Sequence, residues 1–301
     1  MSEPPTLGDE VTRELARSTA RLYRINVDDA AAIIAPIVEG DAALQRAIAT
    51  KADLAELRRM RVFKDVEKAA RRLIYAQLRR YKRSEDAIES ATQRLETLAP
   101  GEEPAAGAAA VETILASHTS TAERLDHQDE FRAAMLRHAA GARTILDVAC
   151  GMMPLMFPFE EFPQLDRYVA LDRDRASVRA VRAFARWSGL RALRALQWAV
   201  ADGWGPVETL GEARPFDVAF LFKLVPVIAR QEPAMLETLS RTPARRLVVT
   251  GSVHGLVKRQ SILRREERDI RLFVERFGFS VEDHYVGGNE LIFVLAGGDL
   301  A

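Results

Sequence analysis

The chain has 301 residues, a formal net charge of zero, 48% hydrophobic residues and a single cysteine, Cys150. That length suits one large domain or two modest ones. The cysteine count excludes an internal disulfide framework and a multi-cysteine zinc site, and the five scattered histidines form no HExxH pair, so no metal centre is expected. No apolar run approaches the roughly 18 residues of a membrane span. The start, MSEPPTLGDE, lacks a basic segment followed by an apolar one, so a cytoplasmic protein without membrane attachment is expected.

Zero net charge conceals a local asymmetry. Residues 1–45 hold four basic and eight acidic side chains, residues 46–83 thirteen basic and four acidic, and residues 84–115 one basic and seven acidic. From about residue 6 to 98 the pattern reads as helices. The longest is expected from Ala52 to Tyr81, where Leu54, Leu57, Met60, Phe63, Val66, Ala70, Ile74 and Leu78 recur every three or four residues. Its other faces carry Arg58, Arg59, Arg61, Lys64, Lys68, Arg71, Arg72, Arg79 and Arg80, with Lys82 and Arg83 just beyond. A solvated helix face ordinarily mixes charges. An excess of one sign suits a phosphate-binding surface instead.

The Pro/Gly/Ala-rich stretch at 99–110 marks the expected boundary between a helical, basic domain (1–105) and a second domain (106–301). Beyond it, short β-branched runs alternate with helical segments: 143–149, 168–172, 196–202, 217–223, 246–251 and 289–296. This alternation predicts an α/β domain, a mostly parallel Rossmann-like sheet covered by helices, with an antiparallel edge around 279–296.

In such folds ligands sit beyond the carboxyl ends of the strands. The first strand runs into Asp147-Val148-Ala149-Cys150-Gly151, whose single glycine gives poor support to a pyrophosphate cradle. S-adenosylmethionine has no phosphate, and one glycine suffices for its methionine arm to approach. Asp172 closes the second strand, placed for the ribose hydroxyls, and Asp202-Gly203 closes the third, placed for the adenine. Three acid-terminated strands in order make coincidence less probable than for any one. The residues therefore predict a class I S-adenosylmethionine-dependent methyltransferase domain. Cys150 reads as a packing residue, and Ser120 with Glu123 as a capping box.

His118 to Leu125 (H-x-S-T-x-E-R-L), Asp147 to Leu155 (D-x-A-C-G-x-x-P-L), Phe222 to Pro226 (F-K-L-x-P) and Gly288 to Ile292 (G-x-E-L-I) together resemble one family. It is that of the aminoglycoside-resistance 16S ribosomal RNA guanine-N7 methyltransferases of the Arm, Rmt and Sgm group, with weaker similarity from Val66 to Leu73. The resemblance implies a helical domain that docks on the 30S subunit and a catalytic domain that methylates N7 of guanine 1405. S-adenosylmethionine would be converted to S-adenosylhomocysteine by a monomer. It also implies that Arg124 pairs with the cofactor carboxylate and that Gly151 lines the methionine arm. Asp172 would hold the ribose, Asp202 would face the adenine, and Lys223 would lie near the target pocket. His118, Ser120, Thr121, Asp147, Ala149, Arg173, Gly203, Phe222 and Gln231 complete the implied cofactor set, and Met153 and Pro154 join Lys223 in positioning the target. Guanine N7 has a free lone pair and no proton, so no general base is required and catalysis is mainly orientation.

Two departures fall on the substrate side. Met153 stands where the family usually has asparagine, and the segment Thr250 to Arg259 retains only Leu256 and Arg259 cleanly. There His254, Lys258 and Arg259 are candidate RNA contacts. Three alternatives stay open: an RNA methyltransferase retargeted to another nucleotide, a cofactor-binding RNA-binding homologue without catalysis, and a small-molecule methyltransferase. The clustered cations argue against the last.

Overall fold

The computed structural model describes residues 6–23, 27–50, 53–78, 84–208, 215–254 and 261–296. The chain divides into two compact units, with the break at about residue 80.

The first unit is helical: α1 (Leu7–Tyr23), α2 (Val27–Gly40), α3 (Ala42–Thr50), α4 (Leu54–Leu57) and α5 (Arg61–Leu78). Its core gathers Val11, Leu15, Ile34, Leu44, Leu57, Phe63, Val66 and Ile74. Asp41 and Asp53 start α3 and α4 by accepting the N–H groups of Leu44 and Glu56, both at 2.8 Å. The single helix expected over 52–81 is two helices. At 100° per residue, steps of three drift by 60° each, so a straight helix would turn Leu57 away from the face of Val66, Ala70 and Ile74. The interruption between α4 and α5 lets Leu57 and Phe63 both be buried.

The second unit begins with α6 (Glu85–Thr97), capped by Ser84, and α7 (Pro104–Ser117). The stretch expected to be a linker is thus only a short turn followed by helix. Alanine favours helix, and Pro104 sits at the first helical position, where its missing N–H costs nothing. The two helices are fastened to α10 (Arg175–Trp187), between α8 (Thr119–Leu125), α9 (Gln128–Ala139) and the later helices. Arg179 reaches both Glu89 and Glu96. Gly107 lies so close to the Trp187 ring that a Cβ there would sit 2.0 Å from it. Helices 85–117 therefore belong to the sheet-bearing unit, and the compact-unit break precedes the expected boundary at 105 because these contacts run to α10.

The sheet contains β1 (Thr144–Val148), β2 (Arg167–Asp172), β3 (Leu193–Gln197), β4 (Val218–Leu221), β5 (Arg246–Ser252), β6 (Val281–Gly287) and β7 (Glu290–Ala296), in the order β3-β2-β1-β4-β5-β7-β6. β1 to β5 are parallel, and β7 and β6 run antiparallel at the edge, as the sequence predicts. Gly288 and Asn289, both with positive φ, make the two-residue turn between β6 and β7. The helices α11 (Gly205–Glu208), α12 (Leu224–Gln231), α13 (Leu236–Ser240) and α14 (Leu263–Phe277) complete the described elements. Alternate residues of β1 face two cores, Ile145 one and Leu146 and Val148 the other, so both sheet faces are covered. No helix among the described residues is long and apolar enough to cross a membrane.

Candidate active site

The strand order reverses about β1, and the crevice between the carboxyl ends of β1 and β4 is where an open α/β sheet receives a ligand. The first loop there is tightly shaped. Ala149 (φ 55°) and Gly151 (φ 52°) both adopt left-handed backbone. The Gly151 position also requires the absence of a side chain, because a Cβ would lie 2.9 Å from Cε1 of buried His118. Asp172, at the end of β2, accepts the Gly151 N–H (2.7 Å) and, through its other oxygen, the Asp174 N–H (2.8 Å). Burial raises the Asp172 pKa, and these two N–H groups oppose the rise.

A chain of charges closes the β4 side. Arg124, on α8, is buried and gives Nε and Nη2 to Glu290 at 2.7 and 3.2 Å. Its Nη1 meets Met153 Sδ at 3.6 Å, and the guanidinium lies over Phe131 and Phe222. Lys223 Nζ sits 2.9 Å from Glu123 and 3.4 Å from Glu290. Glu290 opens the antiparallel strand β7, opposite Ser252, so this strand's first residue reaches the end of the sheet where the parallel strands finish. Burial alone would raise its pKa; Arg124 and Lys223 hold it down to about 2. Lys223 itself is left-handed (φ 57°), and its N–H donates to the carbonyl and hydroxyl oxygens of Thr250. Strained non-glycine backbone thus recurs at the ends of β1 and β4, the two strands that flank the crevice.

Asp147 completes the site. It is 1% exposed, and its Oδ2 accepts the Tyr168 hydroxyl at 2.8 Å, while its Oδ1 is buried without a hydrogen-bond partner among the described residues. Burial pushes its pKa up to about 7, against the pull of the Tyr168 hydroxyl and Arg124. A carboxyl whose pKa is higher folded than unfolded favours the fold while protonated. That contribution is full below the ordinary value near 3.8 and is lost as pH rises through about 7. The stability advantage of the wild type over Asp147→Asn is therefore expected to shrink steadily from pH 5 to pH 8. Urea denaturation of both proteins across this range measures it, and a constant difference contradicts the buried, protonated carboxyl.

The buried Asp147 Oδ1, which no hydrogen bond among the described residues takes up, and the Arg124 Nη1, whose partner is only the weak thioether acceptor of Met153, suit an α-amino acid, which presents ammonium and carboxylate on one carbon; an ammonium would bind there with the carboxyl ionised. The methionine end of S-adenosylmethionine has this form. Among the described residues no cluster of His, Cys, Asp and Glu could hold a metal ion.

The sequence model of the ribosomal RNA methyltransferase (FmrO) family matches residues 62–294, from α5 through β7. The chain belongs to this family. A 16S rRNA (guanine(1405)-N(7))-methyltransferase from Micromonospora echinospora is 32% identical over 125 residues, 41% of this chain and 42% of the relative. One from Micromonospora rosea is 36% identical over 118 residues, 38% and 39% of the two chains. The matched stretch thus spans about two fifths of these curated relatives. The crystal structure of the 16S rRNA methyltransferase RmtF with S-adenosyl-L-homocysteine shares the fold, with a TM-score of 0.56 and 24% identity over 98% of this chain and 100% of that one.

Several residues expected from the sequence of this FmrO-family chain lie in two connected groups at the ends of β1, β2 and β4: Gly151 packs beside His118, which Ser120 meets, and is held by Asp172, while Arg124 touches Met153 and Phe222 and shares Glu290 with Lys223. Others are placed differently. α8 begins at Thr119 with His118 as its cap, so Ser120 lies inside the first turn and forms no capping box. Its hydroxyl is 3.1 Å from His118 Nδ1, and Glu123 turns to Lys223. The Thr121 hydroxyl is taken up by the Leu115 and His118 carbonyls where α7 meets α8. β3 ends at Gln197, five residues before Asp202; exposed Asp202 belongs to a 3-10 turn and accepts the Ala199 N–H, with Gly203 (φ 63°) following. Gln231 is exposed at the end of α12, beside Glu232, which lies 3.8 Å from Arg173 in the loop after β2. Glu290, Glu123, Thr250 and Tyr168 were not among the expected site residues.

Of the expected RNA contacts, Arg79, Arg80, Lys82, Arg83, Lys258 and Arg259 lie outside the described residues. Arg58, Arg61 and Arg71 pair with Glu14, Asp65 and Glu67. Arg59, Lys64, Lys68 and Arg72 are exposed, and no ion pair among the described residues holds them. His254 is exposed, with Nδ1 2.8 Å from Asn289 Oδ1.

Proposed function

We propose that this FmrO-family protein transfers a methyl group from S-adenosylmethionine to N7 of guanine 1405 in the 16S rRNA of the 30S subunit, releasing S-adenosylhomocysteine. The observation that carries the reading is the orphaned Asp147 Oδ1 near the end of β1, in the electrostatic field of Arg124. In this reading Asp147 receives the cofactor ammonium and Arg124 Nη1 its carboxylate. Gly151 and Ala149 line the methionine arm, with His118 and Ser120 behind the loop. Asp172 fixes that loop and accepts the ribose hydroxyls through its remaining lone pairs, while Asp202, Gly203, Arg173, Phe222 and Gln231 enclose the adenosine. The bound cofactor supplies a methyl group already activated by its sulfonium.

The chain's own task is orientation. Guanine N7 has no proton to lose, so neither Glu123 nor Glu290 acts as a base; together they hold Lys223 at the mouth of the crevice. From there the ammonium faces the O6 acceptor of the guanine, with Met153 and Pro154 forming the opposite wall. A base paired in RNA must leave its stack to enter, at a cost of a few kcal/mol. Contacts to phosphates from the helical domain, through Arg59, Lys64, Lys68 and Arg72, offset that cost. The protein acts as a cytoplasmic monomer with the ribosomal subunit as its partner, and methylation at this nucleotide carries an aminoglycoside-resistance phenotype.

The test is transfer of radiolabelled methyl from S-adenosylmethionine to purified 30S subunits, with 50S subunits as control. Label is expected in 16S rRNA alone. Cofactor binding without label in any RNA overturns the catalytic reading.

A further inference from the structure

The stretch from Arg173 to Arg194 contains seven arginines and a single acid, Asp174, in a chain whose overall charge is zero. It spans the loop after β2, helix α10 and the first half of β3, which is an edge strand. On α10, Arg175, Arg179, Arg182 and Arg186 recur at intervals of four, three and four, which places them along one stripe. The buried residues Ser177, Val178, Ala180, Val181 and Ala183 lie away from that stripe.

Three of the seven arginines have structural partners, the first being Arg173, 3.8 Å from Glu232. Arg179 is clamped by Glu89 and Glu96, and Arg186 donates to the carbonyls of Leu95 and Glu96. The others are different. Arg175, Arg182, Arg191 and Arg194 are exposed, and no carboxylate among the described residues pairs with them. Arg182 gives only its Nε, to the Ala195 carbonyl of β3, which extends its guanidinium along the strand edge. The acids that could neutralise this surface are engaged elsewhere: Glu89 and Glu96 by Arg179, Asp174 as the cap of α10 through Ser177, and Asp202 by the Ala199 N–H.

The position of the surface connects it to the crevice. β3 pairs with β2 so that Arg194 is opposite Val169 and Gln197 is opposite Asp172. Arg194 thus lies three residues, roughly 10 Å of strand, from the end of the sheet that carries the site. Arg173 follows Asp172 directly and Arg175 comes two residues later. All of the cations are arginine, whose planar fork suits bidentate contacts to phosphate oxygens and sheds its hydration more readily than an ammonium.

We propose that the β3 edge and the outer face of α10 form a second phosphate-binding surface, which grips the backbone of the RNA substrate beside the catalytic crevice. The proposal rests on the reading of the chain as an RNA methyltransferase and extends it, because this surface belongs to the catalytic unit and not to the helical one. The contacts are to backbone and carry no base specificity. The alternative is that the arginines only guard an exposed strand edge against pairing with another chain. In that case removing them promotes self-association and leaves RNA binding unchanged.

The experiment titrates the fluorescently labelled full-length protein with purified 30S subunits at several KCl concentrations. It compares the wild type with the variant Arg175→Gln/Arg182→Gln/Arg191→Gln/Arg194→Gln and with the matching arginine-to-lysine variant. S-adenosylhomocysteine affinity and thermal midpoint are measured on each. Each phosphate contact contributes about 0.7–0.9 to the slope of log K against log salt. The glutamine variant is expected to keep its cofactor affinity, to bind 30S at least tenfold more weakly and to lose about 3 from that slope. The lysine variant is expected to keep most of the slope, and it carries the comparison if the glutamine variant does not fold. A folded glutamine variant with wild-type 30S affinity and slope overturns this proposal alone. A wild type that binds neither 30S subunits nor deproteinised 16S rRNA overturns it together with the functional reading.

Discussion

Replacing Glu290 by glutamine is expected to lower folding stability by about 3–5 kcal/mol, the usual cost of leaving one partner of a buried ion pair uncompensated. Both members of the pair are almost fully enclosed, with side chains 4% and 1% exposed for Arg124 and Glu290. The same carboxylate also faces Lys223 and accepts the Thr250 hydroxyl, so its loss releases the mouth of the crevice as well. Methyl transfer is expected to disappear. The double variant Arg124→Met/Glu290→Gln is expected to recover much of the stability and none of the activity, since an apolar replacement removes the buried charge but also the cation proposed to meet the cofactor carboxylate. Urea denaturation at pH 7 and a methyl-transfer assay on the three proteins measure both effects. A Glu290→Gln protein within about 1 kcal/mol of the wild type contradicts the account of the pair. The pH dependence follows the opposite sign from Asp147. The Glu290 pKa is depressed from 4.5 to about 2, so its contribution is present above the ordinary value and is lost as pH falls through about 2.

Asp172→Ala is expected to weaken S-adenosylhomocysteine binding at least a hundredfold. The carboxylate holds two consecutive features of the crevice, the Gly151 N–H and the Asp174 N–H that leads into α10. Gly151 is buried, so its orphaned N–H costs about 1–3 kcal/mol. The loop is then free to leave the left-handed path that keeps it against His118. Glutamate is not expected to rescue, because one added methylene displaces the oxygens from both N–H groups. Isothermal titration reads the affinity, and a loss below tenfold shows that the loop holds its shape without Asp172.

Much of the scaffold was legible in the sequence. The alternation of apolar runs after residue 140 reports strands buried on both faces, and the antiparallel edge follows from two runs without room for a crossover helix between them. The shape of the first loop was legible because its residues are local: Asp147 to Gly151 is one strand and its turn. Glu290 stood in the G-x-E-L-I motif, but its role was not legible, for the opposite reason. Its partner Arg124 lies 166 residues away, and nothing in either local pattern announces an ion pair formed only when β7 joins the sheet. Counting steps of three gave one helix over 52–81, but those steps drift round the helix, and the tertiary core resolved the conflict with a break. The apolar pattern of Trp198 to Val200 reads like strand, yet Trp198 turns to stack on Trp204 with its indole N–H on the Gly203 carbonyl. Short apolar runs leave such endings undetermined.

The proposed methyl transfer is tested most sharply by the position and atom of methylation on 16S rRNA. Purified 30S subunits are incubated with the protein and S-adenosylmethionine. The rRNA is then reduced and treated with aniline, which cleaves the chain at N7-methylguanine, and the break is mapped by primer extension. The account predicts one new, cofactor-dependent stop at guanine 1405. A stop at another guanine, or methyl incorporation without cleavage, contradicts it.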